Sequence, residues 1–182
     1  MDQRCKVCGI VICGPNGSGK STLGRALAGA LGYRLMDAED YYFPDPQSAY
    51  SMSRTREEVR TLLLEDMNRY GQFVLVSVNG DWGEEINARC GLVVWLDAPL
   101  ELRLERVKQR TLDRFGERAL PGGDLYEQEE AFHAFAAARS VERIERWLDT
   151  VSCPVLRLDG TREIAANAAL ITAHLKEQGL LR

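Results

Sequence analysis

Histidine is scarce in this sequence, and the cysteines lack the spacing of a metal site. The 182 residues include two histidines, His133 and His174, and five cysteines. Cys5 and Cys8 have CxxC spacing, but no second ligand pair accompanies them, and they precede a predicted strand rather than a helix. The odd number of cysteines and the lack of a secretory signal favour reduced thiols. Structural or incidental cysteines are therefore expected rather than a zinc site or a disulfide framework.

Long apolar runs and an excess of positive charge are also missing. No run approaches the ~20 apolar residues that a membrane-spanning helix needs, and residues 1–6 are too polar for a signal peptide. The formal net charge is −4, so the chain lacks the basic footprint of a nucleic-acid-binding protein. We predict a cytoplasmic protein with neither nucleic-acid nor membrane partners. The oligomeric state stays open.

Short apolar runs alternate five times with helical patterns along the chain. Strands are predicted at residues 7–13, 34–36, 73–78, 92–96 and 155–158. One long helix, broken at most once, is predicted at residues 125–148, and Thr161 is predicted to cap the last helix. This alternation predicts an α/β fold in three layers, α/β/α, around a five-stranded parallel sheet. No repeat or linker interrupts the pattern, so residues 1–182 are predicted to form one domain.

A glycine-rich loop follows the first predicted strand and precedes the first predicted helix. It fits the phosphate-binding (Walker A) pattern G-x-x-x-x-G-K-[ST] with Gly14-Pro15-Asn16-Gly17-Ser18-Gly19-Lys20-Ser21. The glycines let backbone N–H groups turn toward phosphate oxygens, and the helix directs its positive dipole end at the same anion. We expect Lys20 to reach the β- and γ-phosphates, Ser21 to bind Mg²⁺ and Thr22 to contact the α-phosphate. The predicted ligand is a nucleoside triphosphate, taken to be ATP, with Mg²⁺; the sequence does not discriminate ATP from GTP.

With this loop and the five-strand alternation, the chain resembles the P-loop small-molecule kinases. That group includes nucleoside monophosphate, shikimate and gluconate kinases. The resemblance implies a sheet order of 2-3-1-4-5. It also implies an acceptor-binding region at about residues 40–70 and an arginine-bearing lid at about residues 110–125.

An acidic turn, Asp37-Ala38-Glu39-Asp40, follows the second predicted strand. Shikimate-type kinases carry a D-x-D there, in which the first acid helps to hold magnesium and the second contacts the acceptor hydroxyl. The resemblance therefore implies that Asp37 binds metal and that Glu39 serves the acceptor, with Asp40 as a rival for the second role. One carboxylate near the phosphates can share the metal while another takes the acceptor's proton. A solvated acidic turn is the alternative.

Arginines recur along the helix predicted after the fourth strand, at Arg103, Arg106, Arg110 and Arg114. The last three have four-residue spacing and share one helix face. The resemblance implies that lid arginines stabilise the charge on the transferring phosphoryl group. Arg110 and Arg114 are the preferred pair because they are nearest the glycine-rich loop at residues 116–124. The alternative is a solvated basic face.

Three further residues are predicted on the acceptor side. Arg54 and Arg56 begin the helix after the acidic turn, around a Thr55–Glu58 capping box, and paired arginines suit an anionic acceptor. Asp81 lies in a turn after the third strand whose Gly-Asp order departs from the Asp-Gly order usual in monophosphate kinases. It either contacts acceptor or metal, or only shapes the turn. Plain surface arginines are the alternative for Arg54 and Arg56.

A GTPase-like switch is the main rival class, but its guanine-reading N-K-x-D motif does not occur in this sequence. An ATP-binding regulator without kinase activity stays open because of the atypical turn at Asp81. The preferred hypothesis is ATP- and Mg²⁺-dependent phosphoryl transfer to a small-molecule acceptor. A nucleoside monophosphate, a sugar acid and a small alcohol all remain possible acceptors.

Overall fold

One parallel sheet organises the chain. The computed structural model describes residues 9–44 and 53–181. Its strands are β1 (Gly9–Cys13), β2 (Arg34–Asp37), β3 (Phe73–Ser77), β4 (Cys90–Asp97) and β5 (Val155–Asp159). They lie in the order β2-β3-β1-β4-β5, and all four neighbouring pairs are parallel. The predicted α/β class and the implied order 2-3-1-4-5 are both confirmed.

Eight helices lie within the described ranges. They are α1 (Lys20–Leu31), α2 (Ala38–Tyr42), α3 (Arg56–Tyr70), α4 (Glu84–Asn87), α5 (Leu100–Phe115), α6 (Tyr126–Ala138), α7 (Glu142–Leu148) and α8 (Ile164–Glu177). A short 3₁₀ helix, Gly116–Ala119, follows α5. None of the helices in this part of the chain is long and apolar enough to cross a membrane.

The central strand β1 serves two apolar cores. Val11 and Cys13 belong to the core that holds buried side chains of α3 and α7, whereas Ile10 and Ile12 belong to the core with α1 and α8. Successive side chains of a strand point to opposite faces of the sheet. The sheet is therefore covered by helices on both faces, as the continuous apolar run at this strand predicts.

Leu27 tests how much the α1 layer stabilises the fold. Its side chain is 0% exposed in the core between α1, α8 and the sheet. Because Leu27→Ala leaves a cavity there, we expect the free energy of unfolding to fall by about 3 kcal/mol. Leu170→Ala on α8 is the control, since Leu170 is 40% exposed and should lose only about 0.5 kcal/mol. Urea denaturation followed by circular dichroism measures both, and equal losses would contradict this packing.

One local prediction differs from the structure and another is made more definite. The segment 125–148 is broken once into α6 and α7, as the sequence allowed, because Arg139 takes an extended conformation after α6. The predicted cap at Thr161 is wrong: α8 begins at Ile164 after Glu163, without a side-chain cap. The N–H of Thr161 instead donates to Oδ1 of Asp159 at 2.8 Å, which makes a turn between β5 and the helix.

Candidate functional site

The carboxyl ends of β1, β2 and β3 meet at a cavity of about 540 Å³. Its lining combines the loop after β1, the acidic segment after β2, the turn after β3 and faces of α5 and α6. The central strand β1 pairs with β3 on one side and β4 on the other. Connections diverge at such a point of an open parallel sheet, and ligands bind there beyond the strand ends.

Two glycines give the loop after β1 its shape. Gly17 and Gly19 have φ of 80° and 99°, in the left-handed region. A Cβ atom on Gly17 would also overlap the carbonyl oxygen of Arg103. Gly19 is the N-cap of α1, so the first N–H groups of that helix belong to the loop. Such a helix N-terminus attracts anions.

Two arginines of α5 donate hydrogen bonds to the backbone of this loop. Arg103 is 8% exposed. Its Nε donates to the carbonyl oxygen of Ala98 at 2.9 Å, and its Nη1 donates to that of Asn16 at 3.4 Å. Arg106 Nη1 donates to the carbonyl oxygens of Gly160 at 3.0 Å and Gly17 at 3.5 Å. These two members of the arginine series therefore support the loop, a role that four-residue spacing alone does not reveal.

Lys20 is a buried cation in the cavity wall. It is 8% exposed, and its Nζ donates to the carbonyl oxygen of Pro15 at 2.9 Å. Its pKa is lowered to about 8, mainly by burial and also by the charge of Arg110, while the carboxylates of Asp37 and Glu39 oppose that change. An anion in the cavity would stabilise the charged form of this amine.

The acidic segment after β2 brings two carboxylates to the cavity. Asp37 caps α2, with its Oδ1 accepting from the N–H of Glu39 at 3.1 Å. Asp37 and Glu39 both line the cavity together with Lys20 and Ser21. Asp40 is exposed as a residue and does not line it. Partial desolvation of its carboxyl group and the charges of Asp37 and Glu39 together raise the pKa of Asp40. The geometry therefore favours Glu39 over its rival Asp40 for contact with a ligand.

Arg110 and Arg114 do not form a pair at the cavity. Arg110 lines it. Arg114 is exposed, outside the lining, and its guanidinium lies 5.0 Å from the centre of the Phe115 ring. Of the two preferred lid arginines, only Arg110 is placed to reach a ligand in this arrangement.

Arg54 and Arg56 also separate. The Thr55–Glu58 capping box is present as predicted and sets the start of α3. Arg56 lines the cavity, and its guanidinium lies 5.5 Å from the centre of the Trp82 ring. Arg54 is outside the lining, and its Nη1 donates to the carbonyl oxygen of Tyr41 at 2.9 Å. Arg54 therefore fastens the start of α3 to α2.

Asp81 has contacts that shape its turn. Its Oδ1 accepts from the N–H of Gly83 at 3.1 Å and from Nδ2 of Asn87 at 3.2 Å, and its carbonyl oxygen accepts from Arg56. It also lines the cavity. The hydrogen bonds of Asp81 therefore shape its turn. Contact of Asp81 with acceptor or metal stays a prediction, which its position in the cavity lining allows.

The individual side chains of the cavity wall formed by α6 were not singled out from the sequence. They are Gln128, Glu129, Phe132 and Phe135 of α6, together with Arg139 directly after it. Four of them recur at intervals of four, three and four residues, which is the spacing of one helix face. That spacing was the available signal, but it does not show which cavity the face lines. Aromatic side chains of Tyr42, Phe43 and Trp82 line other parts of the same cavity.

The oxygen groups at the cavity suit a hard cation. Within residues 9–44 and 53–181, no three His, Cys, Asp or Glu side chains form a metal cluster. The hydroxyl of Ser21 and the carboxylate of Asp37 both line the cavity beside Lys20. Magnesium prefers oxygen ligands and commonly takes one or two from protein with the rest from phosphates and water. These two residues therefore fit a magnesium ion that a bound phosphate would share.

Comparisons with known proteins identify relatives of this chain. The family model described as "AAA domain" matches residues 10–119 of the chain. The chain is 34% identical over 158 residues to the uncharacterized protein YqaC of Bacillus subtilis (strain 168), covering 82% of this chain and 87% of that protein. It is 30% identical over 136 residues to the shikimate kinase of Synechococcus sp. (strain RCC307), covering 68% and 67%.

A solved structure shares the fold at low identity. The deoxyadenosine kinase from M. mycoides with bound dATP has a TM-score of 0.57 and 15% identity, covering 92% of this chain and 99% of that one. The chain belongs to the AAA domain family of the first comparison and to the P-loop small-molecule kinases. Its relatives act on different acceptors, so family membership leaves the acceptor undetermined.

Proposed function

We propose that this protein transfers the γ-phosphoryl group of ATP, with Mg²⁺, to a hydroxyl or phosphate oxygen of a small anionic molecule. One observation carries the proposal: Lys20 and Ser21 of the phosphate loop line the same cavity as Asp37 and Glu39. A triphosphate on the loop would therefore meet the two carboxylates and any acceptor bound in the cavity. The kinase-like phosphoryl transfer of the family supports the reaction type.

Each residue has a defined part in this reaction. Lys20 and the loop N–H groups bind the phosphates, and Ser21 with Asp37 would hold Mg²⁺, which neutralises phosphate charge. Glu39 accepts the proton of the acceptor hydroxyl. Arg110 stabilises the charge that develops on the transferring group. Gly14, Pro15, Asn16, Gly17, Ser18, Gly19 and Thr22 complete the nucleotide side.

Arginines outside the phosphate loop support an anionic acceptor. Arg56 and Arg139 line the cavity, and Arg56 also borders a smaller adjoining cavity of about 40 Å³ together with Arg143. Burial lowers the pKa of Arg139, and the nearby charge of Arg143 lowers it further. A carboxylate or phosphate placed among these guanidinium groups would relieve that repulsion and accept several hydrogen bonds.

A regulator that binds ATP without transferring phosphate is the second candidate. The segment after β3 favours it, because the strand ends at the buried Ser77 and the carboxylate of Asp81 is engaged in its own turn. The end of β3 thus provides no carboxylate that is free of turn contacts and able to bind metal or acceptor.

A coupled assay for ADP release separates the two candidates. The purified chain is given ATP and MgCl₂ with nucleosides, nucleoside monophosphates, sugars or sugar acids in turn, and ATP affinity is measured in parallel by calorimetry. Acceptor-dependent ADP release that EDTA abolishes is the result expected of a kinase. Tight ATP binding with a flat response to every acceptor would favour the regulator, and no ATP binding would contradict both.

The lowered pKa of Lys20 also predicts how the affinity for ATP depends on pH. Its pKa of about 8 is below the ordinary lysine value because burial disfavours the charged form, and bound phosphates should raise it. The affinity for ATP should then be constant below pH 8, where the amine is charged in both the free protein and the ATP complex. Above pH 8 the free protein must take up a proton on binding, so affinity should fall by up to about tenfold per pH unit. Calorimetric titration in buffers of different ionisation enthalpy counts the proton.

Lys20→Arg provides the control for this titration. A guanidinium stays charged throughout the range, so the variant should bind ATP without the decline above pH 8. A decline of the same size in the variant would assign the titration to another group.

A further inference from the structure

Glu129 is a buried carboxylate in the α6 wall of the cavity. The residue is 3% exposed and lines the cavity. Its Oε2 accepts a hydrogen bond from Oγ1 of Thr111 at 2.9 Å. Its Oε1 is buried and has no hydrogen-bond partner among the described residues. Buried polar atoms are nearly always paired, so this oxygen calls for a physical explanation.

Thr111 and His133 position the carboxylate of Glu129 through its Oε2 atom alone. The hydroxyl proton of Thr111 goes to Glu129, so the contact of 3.2 Å between Thr111 Oγ1 and His133 Nε2 requires the imidazole to donate. His133 Nδ1 lies 3.2 Å from Oε1 of Glu130. These contacts engage Oε2 with α5 and leave Oε1, in a residue that lines the cavity, without a hydrogen-bond partner among the described residues.

The aromatic lining indicates what kind of molecule would present that group. Phe132 and Phe135 of α6, Tyr42 and Phe43 after β2 and Trp82 after β3 all line the cavity. Phe135 is 55% exposed despite its large apolar ring. Aromatic faces from three parts of the chain suit a planar ring, which stacks on them and buries their surface.

We propose that Glu129 determines acceptor specificity, and that the acceptor is a planar heteroaromatic compound whose N–H group donates to Oε1 of Glu129. The inference rests on the proposed function, since the same compound must carry the oxygen that receives the phosphoryl group. Together with the arginines Arg56 and Arg139 of the cavity lining, these requirements describe a nucleoside or nucleotide with an amino-bearing base. A non-aromatic acid would pair with the arginines, but it has neither a planar ring to stack in the aromatic lining nor an N–H group to donate to Oε1.

Matched acceptor pairs test the ring and the N–H group separately. The probes are adenosine, cytidine and their 5′-monophosphates, each beside an analogue with hydrogen in place of the exocyclic amino group. Shikimate and gluconate serve as non-aromatic acids. A site built to pair with a polar group rejects the analogue lacking it because a buried atom is then left unpaired. We expect kcat/KM for at least one amino compound to exceed that of its analogue by about 100-fold or more.

Glu129→Gln tests whether this residue causes the preference. The amide keeps the size of the side chain and an oxygen for Thr111, but it places an NH₂ group where the acceptor oxygen was. The preference for the amino compound over its analogue should fall by about 100-fold. Glu127→Gln is the matched control, since Glu127 is exposed on the same helix and does not line the cavity; it should keep the wild-type preference.

Thr111→Val and a binding measurement distinguish recognition from folding. The valine variant removes the hydrogen bond to Oε2 and should weaken the preference less than Glu129→Gln does. Quenching of tryptophan fluorescence follows binding of each probe directly, because Trp82 lines the cavity. Circular dichroism checks that both variants are folded.

Three results would overturn the inference. The first is an equal loss of kcat/KM in Glu129→Gln for the amino compound and for its analogue. The second is binding of ATP but of none of the ring compounds. The third is efficient transfer to shikimate or gluconate in preference to every ring compound, which would leave the proposed kinase reaction intact. Failure of the proposed function itself would show as loss of ATP binding or of transfer to every acceptor.

Discussion

Lys20→Ala should abolish detectable phosphoryl transfer and weaken ATP binding by about 100-fold or more. The amine is the buried cation of the phosphate loop, 8% exposed, beside the two acids of the cavity. Charge placed in a site shielded from water stabilises a triphosphate far more than a surface charge does, and losing such a group commonly costs 10²–10³ in rate. Calorimetry with ATP and the coupled assay measure the two effects.

Arg25→Ala is the matched control for that variant. Arg25 is an exposed basic residue of the same helix, outside the cavity lining, so ATP affinity should change by less than about threefold. Lys20→Ala should not unfold the chain, because burial lowers the pKa of Lys20 and its charge therefore opposes folding at neutral pH. Unchanged ATP affinity and transfer in a folded Lys20→Ala protein would contradict the assignment of the loop.

Asp37→Asn should reduce Mg²⁺-dependent turnover by about 100-fold or more while leaving the fold intact. The substitution removes the negative charge that would hold the metal. It keeps the side-chain oxygen that caps α2 by accepting from the N–H of Glu39, and Asn and Asp are equally good N-caps. Turnover as a function of MgCl₂ concentration and thermal unfolding provide the two measurements.

Asp40→Asn distinguishes this role from a general effect of the acidic segment. Asp40 is exposed and outside the cavity lining, so its variant should keep turnover within a few-fold of wild type. Normal turnover of Asp37→Asn would refute the metal role of Asp37. An equally large loss in Asp40→Asn would instead return the acceptor role from Glu39 to Asp40.

The acceptor side shows where local patterns stop being informative. Arg54 and Arg56 are two residues apart and are equivalent by sequence, yet only Arg56 lines the cavity. Arg54 precedes the N-cap Thr55 and lies outside α3, whereas Arg56 is the first residue of the helix, so the two side chains do not share one helix face. Arg110 and Arg114 differ for another reason, since Arg114 lies at the end of α5 against the Phe115 ring.

The phosphate loop and the sheet could be predicted from sequence because both depend on neighbouring residues. A glycine-rich loop between a buried strand and an amphipathic helix specifies its own backbone shape and its own cation. Continuous apolar runs separated by helical patterns likewise imply a parallel sheet covered on both faces. The strand order came from resemblance to a family rather than from periodicity, and the parallel pairing of β1 with β3 and β4 agrees with it.

The acceptor wall depended on contacts between residues that are distant in the chain. Glu129 of α6 accepts a hydrogen bond from Thr111 of α5, and Glu129 lines the same cavity as Asn16 and Gly17, which lie more than a hundred residues earlier in the chain. Sequence alone thus determined that this chain builds a nucleotide-phosphate loop on a parallel sheet, because local backbone geometry and apolar periodicity suffice for that. Only the tertiary structure decided which carboxylates, arginines and rings share the cavity, because helix rotation and long-range packing place those side chains.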